Sequence, residues 1–373
     1  MAAVCCASAL WAQSRPLPVR SLLQNQVPNP FGTLLPLFFL TFYSSLRANI
    51  GDTVFYRHSY LLYLAEGAPK IPLKLQGNGL FNTLQYLCSQ LPEMRFNHVP
   101  QHGQLLIMIN AVLFVVPAVL VLYQYSEGFS SALYLFVMTG VYLASMNGMR
   151  QYIAAGILLL GTHFFFHPNW KKGFLCFLPF VLVAWLLHSS APVMLLFFFI
   201  ARVRAYSKWS YLIVTGSIAA VLLSSILMPG FLTALEDTDF AAYSTTGWFD
   251  SGQESGASLL RAAVAVIPLV VGYHYRDRLQ ETGVQGNILI NLGFIHAAIH
   301  ILGLYNWIFI RLSIYLYIYQ ILLLCKIFAL ARERLGRWNL IGLSGMGLFA
   351  VYGYFMNTWI LQEYRSLWLS NWY

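Results

Sequence analysis

QLLIMINAVLFVVPAVLVLYQ, residues 104–124, carries no acidic or basic side chain from end to end. A run of this length and polarity matches the thickness of a bilayer's hydrocarbon core when it is wound as a helix. Backbone groups in hydrocarbon must bond within their own segment, so a helix is the expected form. Comparable runs recur near 30–46, 128–146, 147–166, 173–188 and 189–203, then near 210–228, 257–275, 286–303, 306–328 and 338–356. The sequence therefore predicts an all-α, polytopic transmembrane helical bundle of about eleven spans. It divides into a cytoplasmic or interfacial leader over 1–29, one transmembrane domain over 30–356 and an outer tail over 357–373.

Composition agrees. Of 373 residues, 58% are hydrophobic and 9% charged, against about 25% charged in an ordinary soluble domain. The 23 Tyr, 10 Trp and 27 Phe suit the aromatic belts of membrane interfaces. A net charge of +9 does not point to nucleic acid, because the basic residues are scattered between apolar runs rather than gathered in a stripe. The five cysteines (Cys5, Cys6, Cys88, Cys176 and Cys325) show no metal-type spacing. The opening residues lack the charged head and long apolar stretch of a secretory signal.

Lys and Arg placement sets the expected orientation. With the N-terminus inside, the inner segments hold Arg15, Arg20, Lys171, Lys172, Arg202, Arg204, Lys208, Arg276, Arg278, Lys326, Arg332, Arg334 and Arg337. The outer segments hold fewer: Arg47, Arg57, Lys70, Lys74, Arg95 and Arg365. The expected topology is N-in, C-out. It places two long loops outside, 47–103 and 229–256. In the first, Leu80, Leu84, Leu87 and Leu91 recur at helical spacing opposite Asn82, Gln85 and Ser89, as in a helix lying on the membrane surface. The second is acidic, with Glu236, Asp237, Asp239, Asp250 and Glu254, and holds several aromatics that could stack on sugars.

Three arginines fall at span starts on the outer side: Arg150, Arg261 and Arg311. A guanidinium in a span is costly and commonly marks a substrate path; snorkelling to lipid phosphate is the plainer alternative. Its planar donors grip phosphate oxygens in pairs and its charge is permanent, so the three suggest an outward cavity for an anionic ligand. Trp307, Arg311, Tyr315 and Tyr319 are spaced by four, as on one helical face, a pattern that also serves plain helix packing. His296 and His300 are likewise four apart; with no third ligand apparent, hydrogen bonding between helices is a better expectation than a metal. His188, before Ser189 and Ser190, and Asp52, just beyond the first span, are candidate proton acceptors. Each has an ordinary alternative, an interfacial histidine on a carbonyl and a loop carboxylate paired with Arg47 or Arg57.

The stretches SMNGMRQYIAAGILLLGTHFFF (145–166) and WKKGFLCFLPFVLVAWLLHSSAPVMLLFFF (170–199) resemble the EpsG family of Wzy-like polysaccharide polymerases. The matching positions are Asn147, Arg150 and Gln151, the basic turn at Lys171 and Lys172, and then His188, Ser190 and Ala191. An earlier family pattern is similar to Arg47, Gly51, Asp52 and Tyr56, and a late one to Arg311 and Tyr315. Gly51 and Asp52 are adjacent where the family has a Thr between them, and the acidic residue of the first outer loop is replaced at Gly77-Asn78-Gly79. The family's long opening helix is missing or cut down to residues 1–12.

The resemblance implies a bacterial inner-membrane, multi-pass polymerase. It would join polyprenyl-diphosphate-linked oligosaccharide repeat units, such as undecaprenyl diphosphate carriers, into exopolysaccharide, capsule or O-antigen on the outer leaflet. It implies Arg150, Arg311, Arg261 and Arg47 on the diphosphate, His188 or Asp52 as the base, and Asn147, Gln151, Tyr56 and Tyr315 in support. No cofactor or metal is required where arginines carry the charge. Membrane lipid is the surroundings, and a flippase and a chain-length regulator are the protein partners implied. A polyprenyl-linked glycosyltransferase or glycan ligase, and a transporter or flippase of lipid-linked sugars, are the alternatives.

Overall fold

The computed structural model describes residues 2–15, 17–18, 26–65, 78–96, 99–224, 226–227, 230, 256–335 and 340–363. The acidic loop expected at 229–256 lies outside these except for its ends, as does the tail beyond 363. The described chain is helical apart from two short antiparallel pairings, Leu17–Pro18 with Gln26–Val27 and Arg95–Phe96 with Val99–Pro100. It divides into two compact units. The first comprises 1–163, 176–192 and 331–373, and the second 164–175 and 193–330.

The first unit contains α1 (Ala2–Ser14), α2 (Phe31–Ser45), α3 (Thr53–Ala65), α4 (Gly79–Ser89), α5 (Gln104–Tyr125), α6 (Phe129–Met138), α7 (Val141–Ala144) and α8 (Met149–Leu160). The short α9 (Thr162–Phe165) and α10 (Trp170–Leu187) follow, each passing from one unit to the other. The run quoted above is α5, packed between α2 and α8, with Leu106, Phe114, Val115, Val119 and Leu122 in the core. α8 approaches α5 so closely at Gly156 that a side-chain carbon there would run into the Leu113 carbonyl oxygen. Small residues at such crossings let helices gain van der Waals contact where lipid supplies no hydrophobic drive. Residues 2–14, read from sequence as a leader, form α1 packed on α2 and α6, with Cys5, Ala9 and Ala12 buried.

The second unit contains α11 (Val193–Ile200), α12 (Lys208–Leu222), α13 (Leu259–His274), α14 (Arg276–Glu281), α15 (Gly283–Leu302), a 3-10 helix (Trp307–Tyr315) and most of α16 (Tyr317–Leu335); α17 (Leu340–Glu363) returns to the first unit. α15 is its axis. It is buried almost all round and touches α11, α12, α13, α14 and the 3-10 segment. Asn287 and Asn291 on α15 hold the 201–205 turn. Their amides donate to the Val203 carbonyl at 2.7 and 2.6 Å, and Asn287 accepts from Ala205 N at 2.7 Å.

Among the described residues, three helices are long and apolar enough to cross a membrane alone: α5, α10 and α15. The 3-10 segment and α16 would make a fourth as a bent pair, at 69° to each other. The run expected as one span over 306–328 is thus two helical pieces bent sharply against each other. The stripe of four breaks with it, because a 3-10 helix has three residues per turn: Arg311 is exposed while Tyr315 and Tyr319 are buried, and Tyr319 packs on Phe165 and Phe166. The runs at 128–146 and 147–166 are each divided, at Gly140 (φ +84°) and at Gly161. That at 189–203 is helical over eight residues only. Outward faces remain apolar, as with Phe31, Leu34 and Phe38 on α2 and Leu259 and Val270 on α13. Such faces suit acyl chains as solvent. α4 forms where expected and turns its leucine side outward: Leu87 and Leu91 are exposed, and Phe81, Gln85 and Cys88 face the protein.

Gly156→Ala should lower the thermal midpoint in detergent, by the equivalent of about 1–3 kcal/mol for an overpacked contact. Gly216→Ala on α12, where nothing lies within 4 Å of the added carbon, should leave the midpoint unchanged or slightly raised. Light-scattering or dye-based melting of both variants checks this.

Candidate functional site

The site starts from a buried cation. Arg47 follows α2 and is fully buried. Its Nη1 donates to the Ser44 carbonyl at 2.8 Å and the Ser44 hydroxyl at 3.0 Å, and its Nε to Thr53 Oγ1 at 3.2 Å. Its Nη2 donates to Asn110 Oδ1 at 2.6 Å. Asn110, a buried amide in the middle of α5's first half, in turn donates to the Met149 carbonyl at 2.9 Å. One guanidinium therefore joins the end of α2, the start of α3 and α5, and through Asn110 it fixes the first turn of α8. Arg57 completes the frame. It donates to the carbonyls of Ala48 (3.1 Å) and His102 (2.8 Å) and to the Gln104 side chain, which itself donates to the Ser45 carbonyl.

On this frame the motif residues meet. Gly148 (φ +68°) caps α8, and its N–H donates to Asp52 Oδ2 and Asn147 Oδ1, both at 3.0 Å. The Asn147 oxygen also accepts from Asp52 N at 3.1 Å. A carboxylate at a helix N-terminus is favoured by the unpaired N–H groups and the dipole there. So Asp52 binds the start of α8 rather than Arg47 or Arg57. Gly51 (φ +46°) allows the approach: a side-chain carbon there would lie 2.6 Å from Asn147 Oδ1.

Arg150, in the first turn of α8, donates from Nε to the Tyr56 hydroxyl at 3.1 Å, and its guanidinium carbon lies 5.9 Å from the Phe81 ring centre. Burial pushes the Tyr56 phenol up; Arg150 pulls against this and Asp52 adds to it. The phenol is therefore protonated at neutral pH, accepting from Arg150 while keeping a hydroxyl proton to donate. Asp52, Tyr56, Asn147 and Arg150 thus form one cluster of an anion, a cation and a phenol. Gln151, the next residue, is buried.

His188 ends α10, its backbone N–H closing the last turn on the Ala184 carbonyl at 2.8 Å. In the second unit, Arg261 sits in the first turn of α13, near enough to His300 and Tyr317 to act on them electrostatically. Arg311 stacks on Trp307 at 5.0 Å, and Tyr315 is buried. Among the described residues, no three His, Cys, Asp or Glu side chains gather as a metal set would.

The cluster's residues fall inside a family-model match that runs over residues 33–369. The chain belongs to the EpsG family. No curated protein and no solved structure matches it. Membership in EpsG, together with the apolar helices, makes it a membrane protein of a polysaccharide polymerase family. The EpsG match covers the Arg47–Tyr56 segment, the Asn147–Gln151 turn and the Arg311–Tyr315 segment alike. Sequence reading missed Asn110, Ser44 and Thr53, which hold the site without belonging to the motifs. The trace that could have shown Asn110 is its amide, placed in a run that is otherwise almost wholly apolar.

Arg47→Lys should keep the charge and lose the fork. Bonds from a charged donor are each worth roughly 1.5–3 kcal/mol, so the variant should melt lower by about that much. Asn110→Leu should melt lower too, with the loss less than additive in the double variant, because the two share one bond. A double-mutant cycle of melting midpoints checks it.

Proposed function

We propose that this protein polymerises polyprenyl-diphosphate-linked oligosaccharide repeat units at the outer leaflet of a bacterial inner membrane. The carrying observation is the Asp52–Tyr56–Arg150 cluster, set on an N-terminal helix turn within a chain of the EpsG family. In the reaction, an acceptor hydroxyl attacks the anomeric carbon of the donor glycan. The bond from that carbon to the diphosphate breaks, and the leaving oxygen keeps the electron pair.

The leaving diphosphate gathers negative charge, and a preorganised guanidinium meets it at no reorganisation cost. Arg150 has that role in this reading. Tyr56 occupies its Nε and so sets the direction of its terminal nitrogens. Arg261 and Arg311 are proposed as further diphosphate contacts, and Asp52 or His188 as acceptor of the hydroxyl proton. Arg47 is proposed to act on the diphosphate through position, since its donors are engaged within the protein. Asn147 holds the turn, and the buried Gln151 and Tyr315 are proposed in support.

A second reading has one observation in its favour. The 69° break between the 3-10 segment and α16 is of the kind found in secondary transporters, where broken helices form the substrate site. Product analysis separates the readings. Purified protein given lipid-linked repeat units should yield a ladder of glycan lengths. A ligase would yield one transferred product, and a flippase no new glycosidic bond.

Arg150→Ala should reduce ladder formation about 100-fold or more, the scale for loss of one donor to a developing anion, while the protein still inserts and purifies. Arg150→Lys should recover little, because an ammonium lacks paired planar donors. A normal ladder from Arg150→Ala would overturn Arg150's role.

A further inference from the structure

The second unit holds buried polar atoms that the cluster above does not use. α15 and α16 run antiparallel along a seam: Gly293 faces Gln320, whose Oε1 lies 3.6 Å from where a side-chain carbon would stand, and one turn further His296 faces Tyr317, ring centres 5.6 Å apart. His296 is 6% exposed and Gln320 is 8% exposed. Among the described residues, neither ring nitrogen of His296 has a hydrogen-bond partner, nor does Gln320 Nε2. Leaving such an atom unmet in a protein interior is costly, and more so where lipid surrounds the helices. Neighbouring His300 has its Nδ1 2.9 Å from the His296 carbonyl, and its ring lies 4.3 Å from that of His296.

The unmet groups are of one chemical kind. A neutral imidazole offers one donor and one acceptor, and a primary amide nitrogen offers donors. A hydroxyl donates and accepts at one atom, so a pair of adjacent hydroxyls matches this set, and the Tyr317 ring supplies an apolar face beside it. The nearest cation, Arg261, acts on Tyr317 and His300, whereas the unmet atoms themselves belong to uncharged groups, which pair with hydroxyls. The span also breaks at Leu316, next to Tyr317, where the 3-10 segment turns away by 69°. Irregular backbone within a membrane is tolerated where it is buried in protein or lines a water-filled cavity, and Tyr315 and Leu316 at this break are buried.

We propose that the seam at His296, Gln320 and Tyr317 is a sugar-binding site that takes hydroxyl groups of the glycan substrate. That the sugar belongs to a lipid-linked repeat unit rests on the polymerase reading; the hydroxyl chemistry does not. The test uses full-length protein in nanodiscs, labelled with ¹⁵N in its histidine rings, with the His296 signals identified by their loss in His296→Gln. Three probes are added separately: the lipid-linked repeat unit, the free oligosaccharide released from it by mild acid, and farnesyl diphosphate.

The His296 signals should move with both sugar-bearing probes and stay still with farnesyl diphosphate. His296→Phe should raise the KM for the repeat unit about tenfold or more with a smaller change in kcat, and His296→Gln, which keeps a donor and an acceptor, should lie near the native value. Signals that respond to no probe mean that buried water fills the seam and overturn the proposal. A response to farnesyl diphosphate alone makes it an anion site and overturns it as well. Signals that move with sugar in a protein that forms no ladder uphold the site and remove the polymerase reading. A normal ladder with unmoved signals and a kinetically native His296→Phe does the reverse.

Discussion

A guanidinium buried without water must spend its donors inside the protein, and Arg47 does so on three helices at once. Removing a charge from water costs several kcal/mol unless every donor is met, so the oxygens of Ser44, Thr53 and Asn110 are held to fixed places. That demand passes to α8 because Asn110 gives its own amide to the Met149 carbonyl. The first turn of α8 is thereby set in depth and rotation before any substrate arrives. Asp52 and Arg150 inherit their positions from it, the one capping the turn and the other projecting from it.

The arrangement separates two uses of arginine within one short stretch of family motif. Arg47 is a structural tie whose bonds are spent on the fold. Among the described residues, Arg150 is engaged by one hydroxyl and one aromatic ring, which orients a cation without neutralising it. The neighbouring carboxylate is turned to a helix N-terminus instead of forming an ion pair with it. The proposed diphosphate leaving group benefits from this, since an internal ion pair would have to be broken first. Along α15 itself the polar side chains are amides and imidazoles, groups that pair with hydroxyls.

Much of this was legible in the sequence, and the limits have physical causes. The apolar runs gave the helices because lipid permits little else, and α5, α10 and α15 follow them closely. Where helices break, at Gly140, Gly161 and Leu316, composition stays apolar across the break, so a hydropathy reading runs straight through. The spacing from Trp307 to Tyr319 presumed 3.6 residues per turn and failed because the segment is wound more tightly. The leucines of α4 were recognised as one face, yet periodicity alone does not say whether that face meets protein or lipid. Asp52 and Arg150 were found through motifs nearly a hundred residues apart; that one would cap the helix bearing the other depends on Gly51 and Asn147, whose contact no local pattern encodes.

The most direct measurement is an electron cryomicroscopy structure of the full-length protein in nanodiscs with undecaprenyl diphosphate bound. Diphosphate density within hydrogen-bond distance of Arg150's terminal nitrogens, with Tyr56 still on its Nε and Arg47 still enclosed, is the expected result. Diphosphate held elsewhere, with Arg150 directed at lipid or sealed away from it, would contradict the assignment.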